Sequence, residues 1–307
     1  MKKTPIKILC AAVIVIMLTI NTPAARDVTL NVITGPRVPT FSVQYMLSVF
    51  TAIPSYNVHV VTAAYSAEKY PDLAVLPAYF FSQELADEKA VFNILQKNRM
   101  VTENRKTFGK IMYEVDQSSY GPGLYLKNKQ IKGQMEFFYR PFCPYGTKAL
   151  IALLEYRIKV PAAFSKIVLT PMVEEKTVSG SKKALTLIER FDIAEGLPEL
   201  REVVHQMVIS EYYPDQLLQY LKYLQSEQDW QQAAKKAGLD INHIREISDL
   251  KEEEMLRQSA TRYSKYEAKY SPTYLWENTR RYNYSSELLQ EPELKNIKID
   301  FGNSKCQ

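Results

Sequence analysis

The sequence predicts an α/β protein built from two modules of one layout. Three observations lead there. Each module opens on a strand pattern, a tight turn and a helical pattern. Each later carries a proline at the head of an apolar extended run. A Ser-, Gly-, Lys- and Gln-rich stretch at residues 117–134 separates the two. With 307 residues, 46% hydrophobic and 24% charged, the chain has room for two ordinary domains and can fill their cores without disulfide staples.

In the first module, Val28-Thr29-Leu30-Asn31-Val32-Ile33 alternates and is rich in β-formers, so it reads as a strand. The punctuation Gly35-Pro36-Arg37-Val38-Pro39 follows. Residues 41–53 read as a helix with Tyr45, Val49 and Phe50 on one side, and residues 56–61 as a second strand. The apolar run at 71–81 is interrupted by Pro77, which lacks a ladder donor and suits the start of an edge strand. A polar helix is expected at 83–98.

The second module opens with a strand at 135–140. The turn Cys143-Pro144-Tyr145-Gly146 comes next, with a helix to about Ile158 and a strand at 166–170. A long helical region spans roughly 198–260, with starts at Pro198, Asp215 and Asp229 and a stop near Gly238. Tyr270-Ser271-Pro272-Thr273-Tyr274-Leu275-Trp276 is the second proline-led run. The turn Glu277-Asn278-Thr279 leads to a hairpin partner at 280–282, and a short helix begins at Ser285 or Ser286.

Residues 1–25 read as a targeting segment. Lys2, Lys3 and Lys7 precede an uncharged apolar stretch at 8–20 and the small residues of Pro23-Ala24-Ala25. The stretch is short for a membrane span, which needs about 20 residues, so a secretory signal peptide fits better than an uncleaved anchor. The expected location is the periplasm or envelope, and any membrane tether runs through residues 8–20. Without residues 1–25 the formal charge falls from +5 to +2. No basic stripe of the kind that binds nucleic acid is present. His59, His205 and His243 are scattered and no metal-ligand spacing occurs, so neither metal nor cofactor is expected. The 21 tyrosines read as half-buried packing, and Glu252-Glu253-Glu254 as a solvated helix face.

Phe142-Cys143-Pro144-Tyr145-Gly146 after a strand, with Ser271-Pro272-Thr273-Tyr274-Leu275 before the last hairpin, resembles the thioredoxin-fold superfamily. The helical region between them is similar to the insert of DsbA-like exported proteins. Its stretch from Glu199 through Gln206 to Tyr212-Tyr213-Pro214-Asp215 is similar to one found in exported relatives with a Cys-Pro-Tyr-Gly motif. The resemblance implies two tandem thioredoxin-like domains. The first, at 26–125, is cysteine-free, with Leu76-Pro77 in the cis-proline slot and residues 34–37 in the active-turn slot. The second, at 126–292, carries the motif and the insert, and a polar tail follows at 293–307. The resemblance also implies a cis Ser271–Pro272 bond that faces the cysteine.

The implied activity is thiol–disulfide exchange through Cys143, with protein or small-molecule thiols and disulfides as partners. A helix N-terminus favours a thiolate, and Pro144 suits the first helical position. Lys148 one turn on and Arg140 just before the turn add positive potential, and Pro272 shapes the groove beside the sulfur. Tyr145, Ser271 and Thr273 complete the surroundings. Gly146 stands where a Cys-x-x-Cys motif has its second cysteine, so resolution needs an external thiol or Cys306. The alternative is a redox-inactive domain pair that binds proteins in the envelope. An exposed sulfur beside Pro272 is expected of the first reading, a buried one of the second.

Overall fold

A computed structural model describes residues 26–38, 56–87, 89–98, 100–116, 123–176, 186–266 and 268–294. The expected leader, the expected helix at 41–53 and Cys306 lie outside them. The chain divides into two compact units, residues 1–120 and 121–307.

The first unit contains β1 (Arg26–Thr34), β2 (Tyr56–Ala64), β3 (Val75–Leu76), β4 (Ala78–Phe81), α1 (Lys89–Lys97), β5 (Val101–Asn104) and β6 (Met112–Val115). Its five-stranded sheet has the order β2-β1-β4-β6-β5. The β1/β2 pair is parallel and the other pairs are antiparallel. Val28, Leu30 and Val32 alternate into the core, as the period of a half-buried strand requires. They pack with Tyr79, Phe81, Leu85, Val91 and Leu95.

Two sequence expectations change here. The helix expected at 83–98 is a 3-10 turn, Gln83–Asp87, followed by α1. The Tyr56 hydroxyl donates to the Leu85 carbonyl at 2.9 Å, the group a continuous helix would offer to the Lys89 amide. Pro77 does not begin an edge strand, because β4 lies between β1 and β6. The proline sits one residue outside the strand, after a cis Leu76–Pro77 bond, so the ladder never calls on its missing N–H.

The second unit contains β7 (Gly123–Tyr125), β8 (Gln134–Tyr139), α2 (Pro144–Lys159), β9 (Lys166–Pro171), β10 (Glu174–Glu175), α3 (Leu187–Arg190) and β11 (Phe191–Asp192). The helices α4 (Leu197–Tyr212), α5 (Leu217–Glu227), α6 (Trp230–Lys236) and α7 (Ile241–Tyr266) follow, then β12 (Thr273–Trp276), β13 (Arg280–Tyr282) and α8 (Ser285–Leu288). Within this unit the strands run β7-β13-β12-β8-β9. The β8/β9 pair is parallel, and β12 and β13 are antiparallel to their neighbours. The proline-led strand is again internal. In both sheets a parallel pair is followed by a proline-led antiparallel strand and a further antiparallel one. Such mixed sheets, with helices packed against them, are consistent with a thioredoxin-like fold.

β8 is buried along its whole length, as a strand covered on both faces must be. Met135, Phe137 and Tyr139 pack with Leu150 and Leu153 of α2 and with Val203 and Val204 of α4. On the opposite face, Phe138 packs with Met172, Tyr266 and Leu275. Glu136 also points that way and is fully buried. It accepts two hydrogen bonds of 2.6 Å from Arg262 of α7 and one of 2.7 Å from Thr170. A buried charge stays in place only when paired and bonded in this way.

Helix ends follow the local chemistry. Asp229 caps α6 by accepting from the Gln232 amide at 2.8 Å, and Gly238 follows that helix at φ +72°. Glu277 and Asn278 take positive φ in the β12–β13 turn. Glu277 is fixed there by the Gly133 amide at 3.1 Å and by Arg280 at 2.9 Å.

Leu153→Ala removes a fully buried side chain from the larger core. We expect a loss of about 3 kcal/mol in urea unfolding, from lost transfer energy plus the cavity left behind. A loss below about 1 kcal/mol would show that this face repacks freely.

Candidate functional site

β8 delivers the chain to the turn at Cys143, and α2 begins there. Cys143 is the N-cap residue and Pro144 opens the helix. The turn is tied at several points. The Cys143 amide donates to the Arg140 carbonyl at 3.1 Å, and the Thr147 amide to the Cys143 carbonyl at 2.9 Å. The Thr147 hydroxyl donates to the Pro141 carbonyl at 2.8 Å.

Cys143 is buried, with 4% of its surface exposed. The Gly146 amide donates to its sulfur at 3.4 Å. The sulfur also lies 3.5 Å from the carbonyl oxygen of Ser271. The Ser271–Pro272 bond is cis, and Ser271, Pro272 and Thr273 are all buried. The structure thus brings Cys143, Gly146 and Ser271 together, with Arg140 as the fourth member, because its amide donates to the Ser271 hydroxyl at 2.9 Å. The Thr273 hydroxyl donates to the Tyr270 carbonyl at 2.7 Å. Lys148 and Tyr145 are exposed. Phe142 and Tyr145, 46% and 41% exposed, flank the buried sulfur with aromatic surface.

Cys143 is the only cysteine among the described residues. The exposed sulfur expected of the exchange reading is not what stands here: the sulfur is buried at the N-terminus of α2, as the alternative reading expects.

Gly146 is a steric requirement. A Cβ built there would come within 2.3 Å of the Ser271 hydroxyl oxygen, whereas its next neighbours lie at an ordinary 3.5 Å. The first unit has a matching contact. A Cβ on Gly35 would come within 2.8 Å of a methyl carbon of Leu76, the residue before Pro77.

Sequence reasoning missed the carboxylates beneath the turn. Glu199, on α4, is 1% exposed. It accepts from the Phe142 amide at 3.2 Å and from the Glu195 amide at 3.0 Å. Burial pushes its pKa up, against the opposing pull of the two amides and of Arg140. Arg140 therefore acts on a carboxylate as well as on the turn. Within the next two turns of α4, the Tyr139 hydroxyl donates to Gln206 at 2.8 Å, and Gln206 donates to Glu202 at 2.8 Å. Tyr220 also donates to Glu202, at 2.9 Å. Burial pushes the pKa of both phenols up. The available signal was the spacing of Glu199, Glu202 and Gln206, which places polar side chains on the same side of the helix as Leu200, Val203 and Val204.

The histidines remain scattered. His59 pairs with exposed Asp27, His205 stacks on Trp230 at 3.9 Å, and His243 bonds Tyr213 at 2.6 Å. Among the described residues no group of three His, Cys, Asp or Glu side chains is arranged to hold a metal ion. No helix among them is long and apolar enough to cross a membrane. In the acidic run at 252–254, Glu254 is exposed, and the part-exposed Glu253 bonds Arg190 at 2.5 Å and Arg257 at 3.0 Å.

No protein-family model matches the chain, and no curated protein does. Among solved structures it is similar to one described as "a putative protein disulfide isomerase from Nitrosomonas europaea". That likeness has 10% identity and a TM-score of 0.33, and covers 47% of this chain and 84% of the other.

Glu199 carries a pH signature. Its folded pKa is raised, so the native state binds the proton more tightly than the unfolded chain. Stability must then fall as pH rises from the ordinary carboxylate value of 4.5 through the raised one. In Glu199→Gln this decline disappears. Urea unfolding at graded pH should show the wild type losing ground relative to the variant across that window. Parallel profiles would rule the assignment out.

Proposed function

We propose that the protein is an exported thioredoxin-like protein that carries out thiol–disulfide exchange through Cys143. The observation that carries this reading is the placement of the sulfur. It accepts the Gly146 amide at a helix N-terminus and lies beside the carbonyl that precedes a cis-proline. Amide donors and the helix dipole favour a thiolate, which is both the nucleophile and the better leaving group in exchange. The second unit is read as a domain of the DsbA-like kind with α4 to α7 as its insert, and the first as a cysteine-free companion.

The exchange balances with an external disulfide and an external thiol. The Cys143 thiolate attacks one sulfur of a substrate disulfide, forms a mixed disulfide and releases the other substrate sulfur as a thiolate. A second thiolate then attacks the substrate's sulfur in that bond and releases the Cys143 thiolate, so one disulfide is broken, one is formed and the protein is returned unchanged. The flanking aromatic rings of Phe142 and Tyr145 offer an apolar landing surface for a protein thiol.

The burial of Cys143 favours a second reading, a redox-inactive domain pair that binds partner proteins in the cell envelope and keeps the cysteine as a packing residue. One experiment separates the two. The purified chain is reduced, alkylated at graded pH and mapped at Cys143, then equilibrated with glutathione disulfide. Exchange predicts an apparent pKa below the free-cysteine value of about 8.5 and a glutathione adduct that Cys143→Ser abolishes. A value at or above that of free cysteine, with no adduct, leaves only the binding role.

A further inference from the structure

We propose that Ser271 is the residue that excludes a second cysteine from the turn and so makes Cys143 a single-cysteine site. The argument is steric and stands whether or not Cys143 exchanges with a substrate. Position 146 is where a local partner for Cys143 would have to sit. The backbone there leaves room on two sides, since the Arg140 carbonyl and Tyr139 Cβ lie 3.5 Å from where a Cβ at 146 would stand. Only the Ser271 hydroxyl, at 2.3 Å, closes the space.

That hydroxyl is not at liberty to swing aside. Ser271 is fully buried and its oxygen accepts the Arg140 amide. Rotation would leave that amide without its acceptor at the mouth of the turn. The serine hydroxyl therefore occupies the seat of the absent side chain and is pinned there by the strand that leads to the cysteine. Ser271 and Gly146 form a coupled pair, and a cysteine at 146 requires a change at 271.

The test builds the missing dithiol in the full chain, with Cys10→Ser and Cys306→Ser to remove the other two thiols. Gly146→Cys and Gly146→Cys/Ser271→Ala are reduced and then oxidised with glutathione disulfide. A thiolate of the pair attacks glutathione disulfide and releases one glutathione. The other thiolate attacks the protein sulfur of the mixed disulfide and releases the second. Peptide mapping without reduction reads the bond between positions 143 and 146. We expect several-fold more of it in the double variant. Equal yields overturn the proposal.

Gly146→Ala supplies a smaller probe should the cysteine variants fold poorly. Its drop in Tm should shrink by at least half when Ser271→Ala is the background. Equal drops in both backgrounds also overturn the proposal.

Discussion

The hydrogen bond from the Arg140 amide to the Ser271 hydroxyl sets the geometry around the cysteine. The β8/β12 ladder reaches only to Thr273 opposite Phe138. The next residue on the β12 side is Pro272, which has no N–H to extend it. The serine side chain takes over where the backbone ladder stops. It holds the outgoing end of β8 against the segment before β12, and so places the Ser271 carbonyl at the sulfur. The same oxygen fills the space above Gly146. The cap of α2, the glycine in its first turn and the carbonyl at the sulfur all depend on one side chain.

Three of the second unit's buried carboxylates join its helices to β8 and the turn, each satisfied differently. Glu136 is paired with Arg262, Glu202 is surrounded by Gln206 and Tyr220, and Glu199 is bonded to two backbone amides. Together they fasten α4 and α7 to β8 and to the turn that follows it. Apolar packing alone would leave these contacts non-directional. Bonded carboxylates specify one register, because a shifted helix would strand a buried charge. Removing a partner at any of them is thus more damaging than a count of hydrogen bonds suggests.

Much of this was legible in the residues. The β1 alternation, the cap at Asp229, the turn at 277–279 and the helix start at Cys143 each rest on a local rule, and local rules are written in adjacent residues. β5, β6 and β7 were not found. They are three or four residues long and mix buried positions with charged or part-exposed ones, so no period emerges. The internal position of the strand after Pro77 was also missed, since strand order is a property of pairing at long range. At the site, Cys143 and the segment at Ser271 could be read from their immediate neighbours. Glu199 could not be assigned a role, because nothing in α4 announces that its side chain ends at the Phe142 amide. The fit between Gly146 and Ser271 joins positions far apart in the chain, and only coordinates reveal it.

The first unit repeats the close approach of a glycine to the residue before a cis-proline, but with hydrocarbon in the place of a hydroxyl. Leu76 offers a methyl group where Ser271 offers an oxygen, and it has no side-chain polar atom with which to tie down a neighbouring amide. The same seat is polar in one unit and apolar in the other: in the second it ties down a neighbouring amide, and in the first it offers only a packing contact.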